Sequence, residues 1–177
     1  MKSLIAGATL ALAFVSLTHP SQAQDTGLVP VRAKIGAFFP QGSGQNIGGS
    51  TAFDLEADIA IPSLGAGRTF ATIGYEQGSS NGGKLRVIPV TIGRFFSPPN
   101  PAKSLTGNVY LGAGLGPYFV RASNAVGGSE SKVTVGGFGV VGYQFPNPYF
   151  IEAKYHVAGK VSGINPGGFA LLIGRHF

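Results

Sequence analysis

Strict alternation of apolar and polar residues is the dominant pattern along this chain, and it predicts β-strands. In the segment 52–61 the apolar side chains share one face of the predicted strand: Phe53, Leu55, Ala57, Ile59 and Ile61. The opposite face carries Asp54, Glu56 and Asp58. A period of two over a segment of this length indicates a strand and leaves no helical alternative.

The same pattern, interrupted by turn residues, predicts eight strands in all. Their predicted ranges are 31–39, 52–61, 68–76, 84–96, 108–119, 132–145, 149–158 and 168–177. The inward and outward faces of the fourth and sixth strands are ambiguous, and Pro89 and the Gly136–Gly137 pair predict bulges or a kinked register there.

The segments between the predicted strands alternate in character. The odd-numbered connections are polar and Gly-rich, at 41–50, 77–83, 122–131 and 159–166, and the first of them is expected to be a flexible hairpin loop. The even-numbered connections at 62–65, 97–103 and 146–148 contain proline and should be stiffer. This alternation is typical of an up-and-down barrel that spans a membrane.

The first 23 residues have the three parts of a secretory signal peptide. Met1-Lys2 is a short basic start, an apolar run follows from Leu4 to Leu17, and Ser21-Gln22-Ala23 is a small-residue cleavage site. A permanent transmembrane helix would need about 20 apolar residues, and His19-Pro20 interrupts the run too early. We therefore expect a signal peptide at 1–23 and one exported domain at 24–177.

Composition excludes several classes of protein. Charged residues make up only 11% of the chain, Gly numbers 29 and Cys is missing altogether. Disorder would need more charge, a helical bundle would need less Gly, and thiol or disulfide chemistry needs Cys. The net charge of +6 is scattered rather than gathered in a patch, which argues against nucleic acid. A scattered positive charge is better suited to attraction to anionic lipid headgroups.

Both a soluble ligand-binding barrel and a membrane barrel have strands of period two, and the position of the aromatic residues favours the membrane. They gather near strand ends, as two girdles at membrane–water interfaces require. With the N-terminus in the periplasm, the outer girdle comprises Phe38, Phe39, Tyr118 and Phe119. The periplasmic girdle comprises Phe95, Phe96, Phe145, Tyr149, Phe150 and Phe177. Glycines on the charge-bearing face, among them Gly36, Gly112, Gly114 and Gly116, fit a narrow, crowded lumen.

The last segment, 168–177, alternates Phe169, Leu171 and Ile173 and stops on Phe177. In this respect the chain resembles small bacterial outer-membrane β-barrels, the group that includes the transmembrane domain of OmpA and the OmpX and OmpW proteins. The resemblance implies an all-β, eight-stranded, antiparallel up-and-down transmembrane barrel. It also implies that Phe177 is a signal to the barrel-assembly machinery. Arg175 departs from the family pattern, although its guanidinium could snorkel to headgroup phosphates.

Charged residues within the predicted strands are the candidates for chemistry. A hairpin in which paired residue numbers sum to 90 would place Arg32 opposite Asp58 and Lys34 opposite Glu56, where the charges neutralise each other. A metal site is the alternative, but three carboxylates on one straight strand diverge too far to bind an ion without help. The predicted lumen charge network comprises Arg32, Lys34, Asp54, Glu56, Asp58, Glu152, Lys154 and His156.

Catalysis is the other alternative at His156. Lipid A deacylases of the outer membrane carry His-x-Ser on a strand, whereas here the corresponding residues are His156-Val157-Ala158. The nucleophile is missing at that spacing, and a triad needs the hydroxyl within hydrogen-bond reach of the base. His156 is therefore expected to be a hydrogen-bonded lumen residue.

Together these patterns predict a monomeric, non-enzymatic outer-membrane barrel without cofactor or metal. It would contribute to envelope integrity or give narrow passage to small molecules, with outer-membrane lipids and lipopolysaccharide as partners. Eight strands are too few for a wide aqueous channel. A lipid A-modifying enzyme of the same fold, or a soluble exported barrel that binds an apolar ligand, remains the alternative.

Overall fold

A computed structural model of the chain describes residues 30–61, 69–96, 107–123 and 128–177. The predicted signal peptide and the proline-containing connections at 62–65 and 97–103 lie outside these residues. Within the described ranges, no helix is long and apolar enough to cross a bilayer.

The described residues form a closed, eight-stranded, antiparallel up-and-down β-barrel, which confirms the predicted fold. Each strand pairs with its neighbours in sequence, and β1 pairs with β8 to close the sheet. The strands are β1 (Val31–Pro40), β2 (Ala52–Ala60), β3 (Thr69–Ser80), β4 (Gly83–Phe96), β5 (Asn108–Ser123), β6 (Ser129–Gln144), β7 (Tyr149–Ala158) and β8 (Gly168–His176). We call the end that carries residues 41–51, 81–82 and 159–167 the loop end, and the opposite end the terminal end.

The register between β1 and β2 is the predicted one, with Arg32 opposite Asp58 and Lys34 opposite Glu56. The predicted bulges are wrong. β4 keeps one register with β3 on both sides of Pro89, and β6 keeps one register with β5 through Gly136. Pro89 fits into the wall because Gly74 lies opposite, where a Cβ atom would come within 2.8 Å of the proline ring.

Two of the predicted loops have more structure than expected. In the connection at 77–83, β3 continues to Ser80 and β4 begins at Gly83, so that only Asn81-Gly82 forms the turn. Their φ angles of 50° and 76° are both positive, as a tight hairpin turn of this kind requires. The connection at 41–50 contains a short helix, α1 (Ser43–Gly48), instead of a flexible loop.

The strands alternate between a buried inner face and an exposed apolar outer face. In β2, for example, Asp54 and Asp58 are fully buried, whereas Phe53 and Ile59 are 37% and 45% exposed. Large apolar side chains cover the outside in the other strands also, including Ile92, Leu115, Val135, Ile151 and Ile173.

Side chains fill the interior in three layers. An apolar layer at the loop end comprises Leu85, Val87, Tyr118, Val120, Ala122 and Val161. An aromatic layer at the terminal end comprises Phe95, Tyr110, Phe138, Val140 and Phe150. Charged residues lie between the two layers and form the candidate site.

Candidate functional site: the buried charge cluster

Four strands contribute charged or ionisable side chains to one buried cluster inside the barrel. Period two directs every second side chain inward, so each strand places its charges on the same face. The members are Arg32 and Lys34 of β1, Asp54, Glu56 and Asp58 of β2, Glu76 of β3, and Glu152, Lys154 and His156 of β7. Each is at most 3% exposed. The eight residues of the predicted network are thus brought together.

Arg32 is the most heavily contacted member of the cluster. Its Nη2 atom lies 2.5 Å from Oε1 of Glu152 and donates to the hydroxyl of Tyr110 at 2.6 Å. Asp58, its partner across the hairpin, is farther away at 3.6 Å. Four aromatic rings surround the guanidinium, with centroids 4.0–5.8 Å from Cζ: Phe70, Phe95, Tyr110 and Phe150. Cation–π contacts of this kind help to offset the desolvation of the charge.

Lys34 lies among three carboxylates. Its Nζ atom is 2.6 Å from Glu56, 3.0 Å from Asp58 and 3.2 Å from Glu152. An ammonium group has three donors, so these contacts can use its full capacity. Thr72 also donates to Asp58, at 2.7 Å. We call Arg32, Lys34, Asp58 and Glu152 the paired group.

A second set of residues in the same cluster is poorly satisfied. Asp54 lies directly opposite Glu76 across β2 and β3. Among the described residues, both oxygens of each carboxylate lack a hydrogen-bond partner. Oε1 of Glu76 lies 3.7 Å from Nδ1 of His156. We call Asp54, Glu76 and His156 the open group.

Glu56 connects the two groups. One of its oxygens, Oε2, contacts the ammonium groups of both Lys34 and Lys154. The other, Oε1, faces Nε2 of His156 at 3.6 Å, which is too long for a hydrogen bond. This carboxylate therefore presents one neutralised oxygen to the paired group and one unpartnered oxygen to the open group.

Tyr118 holds the ring of His156 in place. Its hydroxyl lies 3.0 Å from Nδ1 and 3.1 Å from the carbonyl oxygen of Gly137. When the hydroxyl donates its single hydrogen to that carbonyl, its oxygen accepts from Nδ1–H. The remaining nitrogen, Nε2, then carries a lone pair that points away from Tyr118.

The aromatic girdle prediction is wrong for four of its residues. Phe38, Phe95, Tyr118 and Phe150 are at most 7% exposed and lie inside the barrel. Three of them are adjacent in sequence to a predicted girdle residue that faces outward and is much more exposed: Phe96 at 52%, Phe119 at 45% and Tyr149 at 36%. Adjacent residues of a strand point to opposite faces, so such pairs cannot both face the membrane. Phe39 and Phe145 are half-buried and Phe177 is exposed.

Glycines of neighbouring strands make room for the inner aromatic rings. A Cβ atom on Gly142 would come within 2.1 Å of Tyr110, and one on Gly174 within 2.2 Å of Phe150. Each of these glycines lies directly opposite its ring in the sheet. Gly112 and Gly114 play the same part for Phe95 and Phe138. The glycine-rich inner face is thus the space that these rings occupy.

The last residues close the barrel at the terminal end. The backbone N–H of Phe177 donates to Val31 at 2.8 Å. The guanidinium of Arg175 lies near the rings of Tyr149 and Phe177, at 5.6 and 5.4 Å.

Sequence reasoning missed Glu76, Tyr110 and Tyr118 as members of the cluster. The predicted third strand ends at Glu76, next to a predicted loop, whereas β3 continues to Ser80. Period two along β3, in phase with buried Thr72, could have placed Glu76 inside. The two tyrosines could have been assigned inward by their alternation with outward-facing apolar neighbours.

Comparison with known proteins supports the fold and gives no closer relationship. No family model matches the chain, and no curated protein sequence matches it. The N-terminal β-barrel domain of Pseudomonas aeruginosa OprF is similar in structure, with a TM-score of 0.53 and 13% identity over 84% of this chain and 97% of that one. Neisserial surface protein A is similar with a TM-score of 0.50 and 19% identity over 84% and 94%. The resemblance to small eight-stranded barrels is thereby confirmed at the level of fold.

Proposed function

We propose that this protein is a monomeric, non-enzymatic barrel of the bacterial outer membrane that contributes to the integrity of the envelope. One observation carries the proposal: the barrel exposes its apolar face outward and fills its interior with side chains. Export through a cleaved signal peptide at 1–23 is part of the same proposal.

The outer surface has the composition of a surface in contact with lipid. Between Arg86 and Arg94 of β4, the outward positions are Ile88, Val90 and Ile92. The two arginines are about 26 Å apart along the strand, and strand tilt reduces the height of this apolar band to about 20 Å. A soluble protein rarely exposes so extensive an apolar surface, whereas a membrane barrel carries an outward apolar band about 25 Å tall.

The filled interior supports a structural role over the passage of solutes. The apolar layer closes the barrel at the loop end, where Ile47 of α1 and Ile164 pack against it. The aromatic layer closes the terminal end. A solute would have to displace side chains of both layers and then cross a cluster of paired charges. We therefore expect purified protein to give no conductance steps in a planar bilayer.

The surroundings of His156 support a non-enzymatic function. The ring is 1% exposed and hydrogen-bonds Tyr118 rather than a serine. A lipid substrate outside the barrel could not reach it through the wall. Overexpression should therefore leave the mass spectrum of lipid A unchanged, and a shifted lipid A species would favour the enzyme alternative.

A basic surface at the loop end supports contact with the phosphates of lipopolysaccharide. Arg86 and Arg121 lie directly opposite each other on β4 and β5, and Lys84 follows on the same outer face. Like charges in such a pair repel, and a bound phosphate would remove the repulsion. The double variant Arg86→Gln/Arg121→Gln should copurify with less lipopolysaccharide. The control variant Arg94→Gln, at the terminal end, should retain the wild-type amount.

One substitution separates a membrane barrel from a soluble barrel. Leu115 lies in the middle of β5 and is 71% exposed. In a lipid-facing position, Leu115→Arg should lower the free energy of unfolding in bilayers by about 2–4 kcal/mol and reduce the heat-modifiable folded form on gels. In a soluble barrel the same change would be neutral. The matched control is Ser129→Arg at the loop end, where residue 129 is exposed and lies opposite Ser123, and it should fold like the wild type. Equal behaviour of both variants would contradict the proposal.

A further inference from the structure

We infer that Glu56, Glu76 and His156 form a binding site for one divalent transition-metal ion inside the barrel, with Zn²⁺ the best-suited ion. Asp54 lies beside this site as a further carboxylate. The inference does not depend on the membrane location, since it concerns only the interior.

The three side chains lie close together, and one pair of them has the spacing of two ligands of one ion. One ligand atom from each of Glu56, Glu76 and His156 lies within 4.8 Å of the others. Metal–ligand bonds of about 2.0–2.2 Å at tetrahedral angles place neighbouring ligand atoms about 3.3–3.6 Å apart. The 3.6 Å separation of Nε2 of His156 from Oε1 of Glu56 therefore matches two ligands of one ion.

The three residues of the proposed site, and Asp54 opposite Glu76, all carry unpartnered buried atoms. In the part of the chain that the structure describes, the buried side-chain atoms without a hydrogen-bond partner include Nε2 of His156, Oε1 of Glu56 and both oxygens of Asp54 and Glu76. Native proteins leave few buried polar atoms unsatisfied, and each such atom calls for an explanation such as an ion. A metal ion would satisfy several of them at once.

The charge balance of the interior leads to the same conclusion. Among the described residues, five buried carboxylates (Asp54, Glu56, Asp58, Glu76 and Glu152) face three buried cations (Arg32, Lys34 and Lys154). With neutral His156, two carboxylates lack a compensating charge. A single divalent cation supplies the missing charge, and uncompensated buried charge is strongly destabilising.

Tyr118 prepares His156 for metal binding. Through its contacts with Nδ1 and the carbonyl of Gly137, it favours the tautomer whose Nε2 is free. A metal-ligating histidine commonly donates its other ring N–H to a nearby oxygen in this way, which fixes the orientation of the ring.

The donor set selects the class of ion. Ca²⁺ and Mg²⁺ prefer oxygen ligands alone, whereas one imidazole with carboxylates suits Zn²⁺ and other first-row transition metals. The three carboxylates of β2 alone diverge too far along the strand to bind one ion. Closure of the barrel supplies ligands from other strands, because β3 and β7 bring Glu76 and His156 close to Glu56.

The competing explanation is that protons neutralise Asp54 and Glu76 in place of a metal. Zinc loading separates the two explanations. Because the apolar and aromatic layers close the interior at both ends, the ion should enter during folding. The protein is therefore refolded into detergent with or without ZnCl₂, washed with chelator, and analysed for zinc by mass spectrometry.

The wild type refolded with zinc should retain one Zn²⁺ per barrel after the chelator wash. Glu76→Gln and His156→Gln should each lower the retained zinc about tenfold or more. Glu130→Gln is the matched control, because Glu130 is an exposed acid on β6 outside the cluster, and it should retain zinc like the wild type. Co²⁺ in place of Zn²⁺ should give the visible absorption of a low-symmetry site in the wild type, which tests the geometry without any substitution.

Wild-type protein that retains no zinc and gives no Co²⁺ absorption would overturn the inference in favour of protonated carboxylates. Equal zinc retention by the wild type, Glu76→Gln and His156→Gln would overturn it in favour of binding elsewhere. Should His156→Gln fail to refold, Glu76→Gln and the Co²⁺ spectrum decide the outcome.

Discussion

The paired group and the open group lie in the same buried cluster but satisfy their charges to very different degrees. In the paired group, Arg32 and Lys34 contact both Asp58 and Glu152 at 2.5–3.6 Å. In the open group, Asp54 and Glu76 lie opposite each other without an Arg or Lys partner among the described residues. Both groups are equally withdrawn from water.

The difference shows what burial of charge requires in a narrow barrel. A buried ion pair gains little net stability, yet removal of one partner costs about 3–5 kcal/mol because an uncompensated charge remains. The paired group should therefore be sensitive to loss of a single member. The open group already lacks compensation from the chain, so neutralisation of one of its carboxylates should cost little.

Arg32→Met should have the largest effect on stability. It leaves the charge of Glu152 with less compensation, and it removes the guanidinium that four aromatic rings surround. We expect the free energy of unfolding to fall by about 3–5 kcal/mol, measured by urea unfolding in detergent or bilayers. The double variant Arg32→Met/Glu152→Met removes the pair together and should lose less than the single variant. Additive losses would show that the two residues are not coupled.

The fold and one hairpin register could be predicted from the sequence because both depend on local pattern. Alternation along β2 assigns Asp54, Glu56 and Asp58 to one face, and a hairpin joins β1 to β2 in a register that pairs opposite charges. The prediction that Phe38 and Phe95 belong to the aromatic girdles is wrong, because it rested on their position near the strand ends and not on the face of the strand to which they point.

The proximity of Glu76 to His156 could not be predicted because it depends on contacts across the barrel. Glu76 comes from β3 and His156 from β7, and no local pattern relates the two. Bulges at Pro89 and Gly136 were predicted from residue preference alone. No bulge is needed at Pro89 because Gly74 of the neighbouring strand leaves room for the proline ring. This too is a contact between strands.

Gly142→Val should disturb the paired group indirectly, by displacing Tyr110 from the position in which it contacts Arg32 and Glu152. A Cβ atom at residue 142 would meet this ring within 2.1 Å. Overpacking of this kind should cost about 2–3 kcal/mol, measured by the same unfolding assay. Gly139→Val on the same strand is the matched control, because a Cβ atom there meets nothing within 4 Å. Similar losses in both variants would indicate a general effect of glycine replacement in β6.

Removal of the hydroxyl group of Tyr110 or of Tyr118 compares the strength of hydrogen bonds in the paired group and the open group. Tyr110 donates to Glu152 at 2.9 Å and accepts from Arg32, whereas Tyr118 contacts neutral groups, the carbonyl of Gly137 and His156. Hydrogen bonds to charged groups contribute more to stability. Tyr110→Phe should therefore cost about 1–2 kcal/mol and Tyr118→Phe about 0.5–1 kcal/mol. The reverse order would contradict the assignment of the stronger interactions to the paired group.

Glu76→Gln should have the smallest effect, provided that unfolding is measured in chelator. The amide keeps the shape of the side chain and removes a carboxylate that faces Asp54, so the loss in stability should be less than about 1 kcal/mol. Glu152→Gln changes the same atoms in the paired group and should cost about 3 kcal/mol, because Arg32 then keeps too little compensation. Equal losses in the two variants would remove the distinction between the groups. With zinc present during refolding, the bound ion stabilises the wild type, and the difference between wild type and Glu76→Gln should increase.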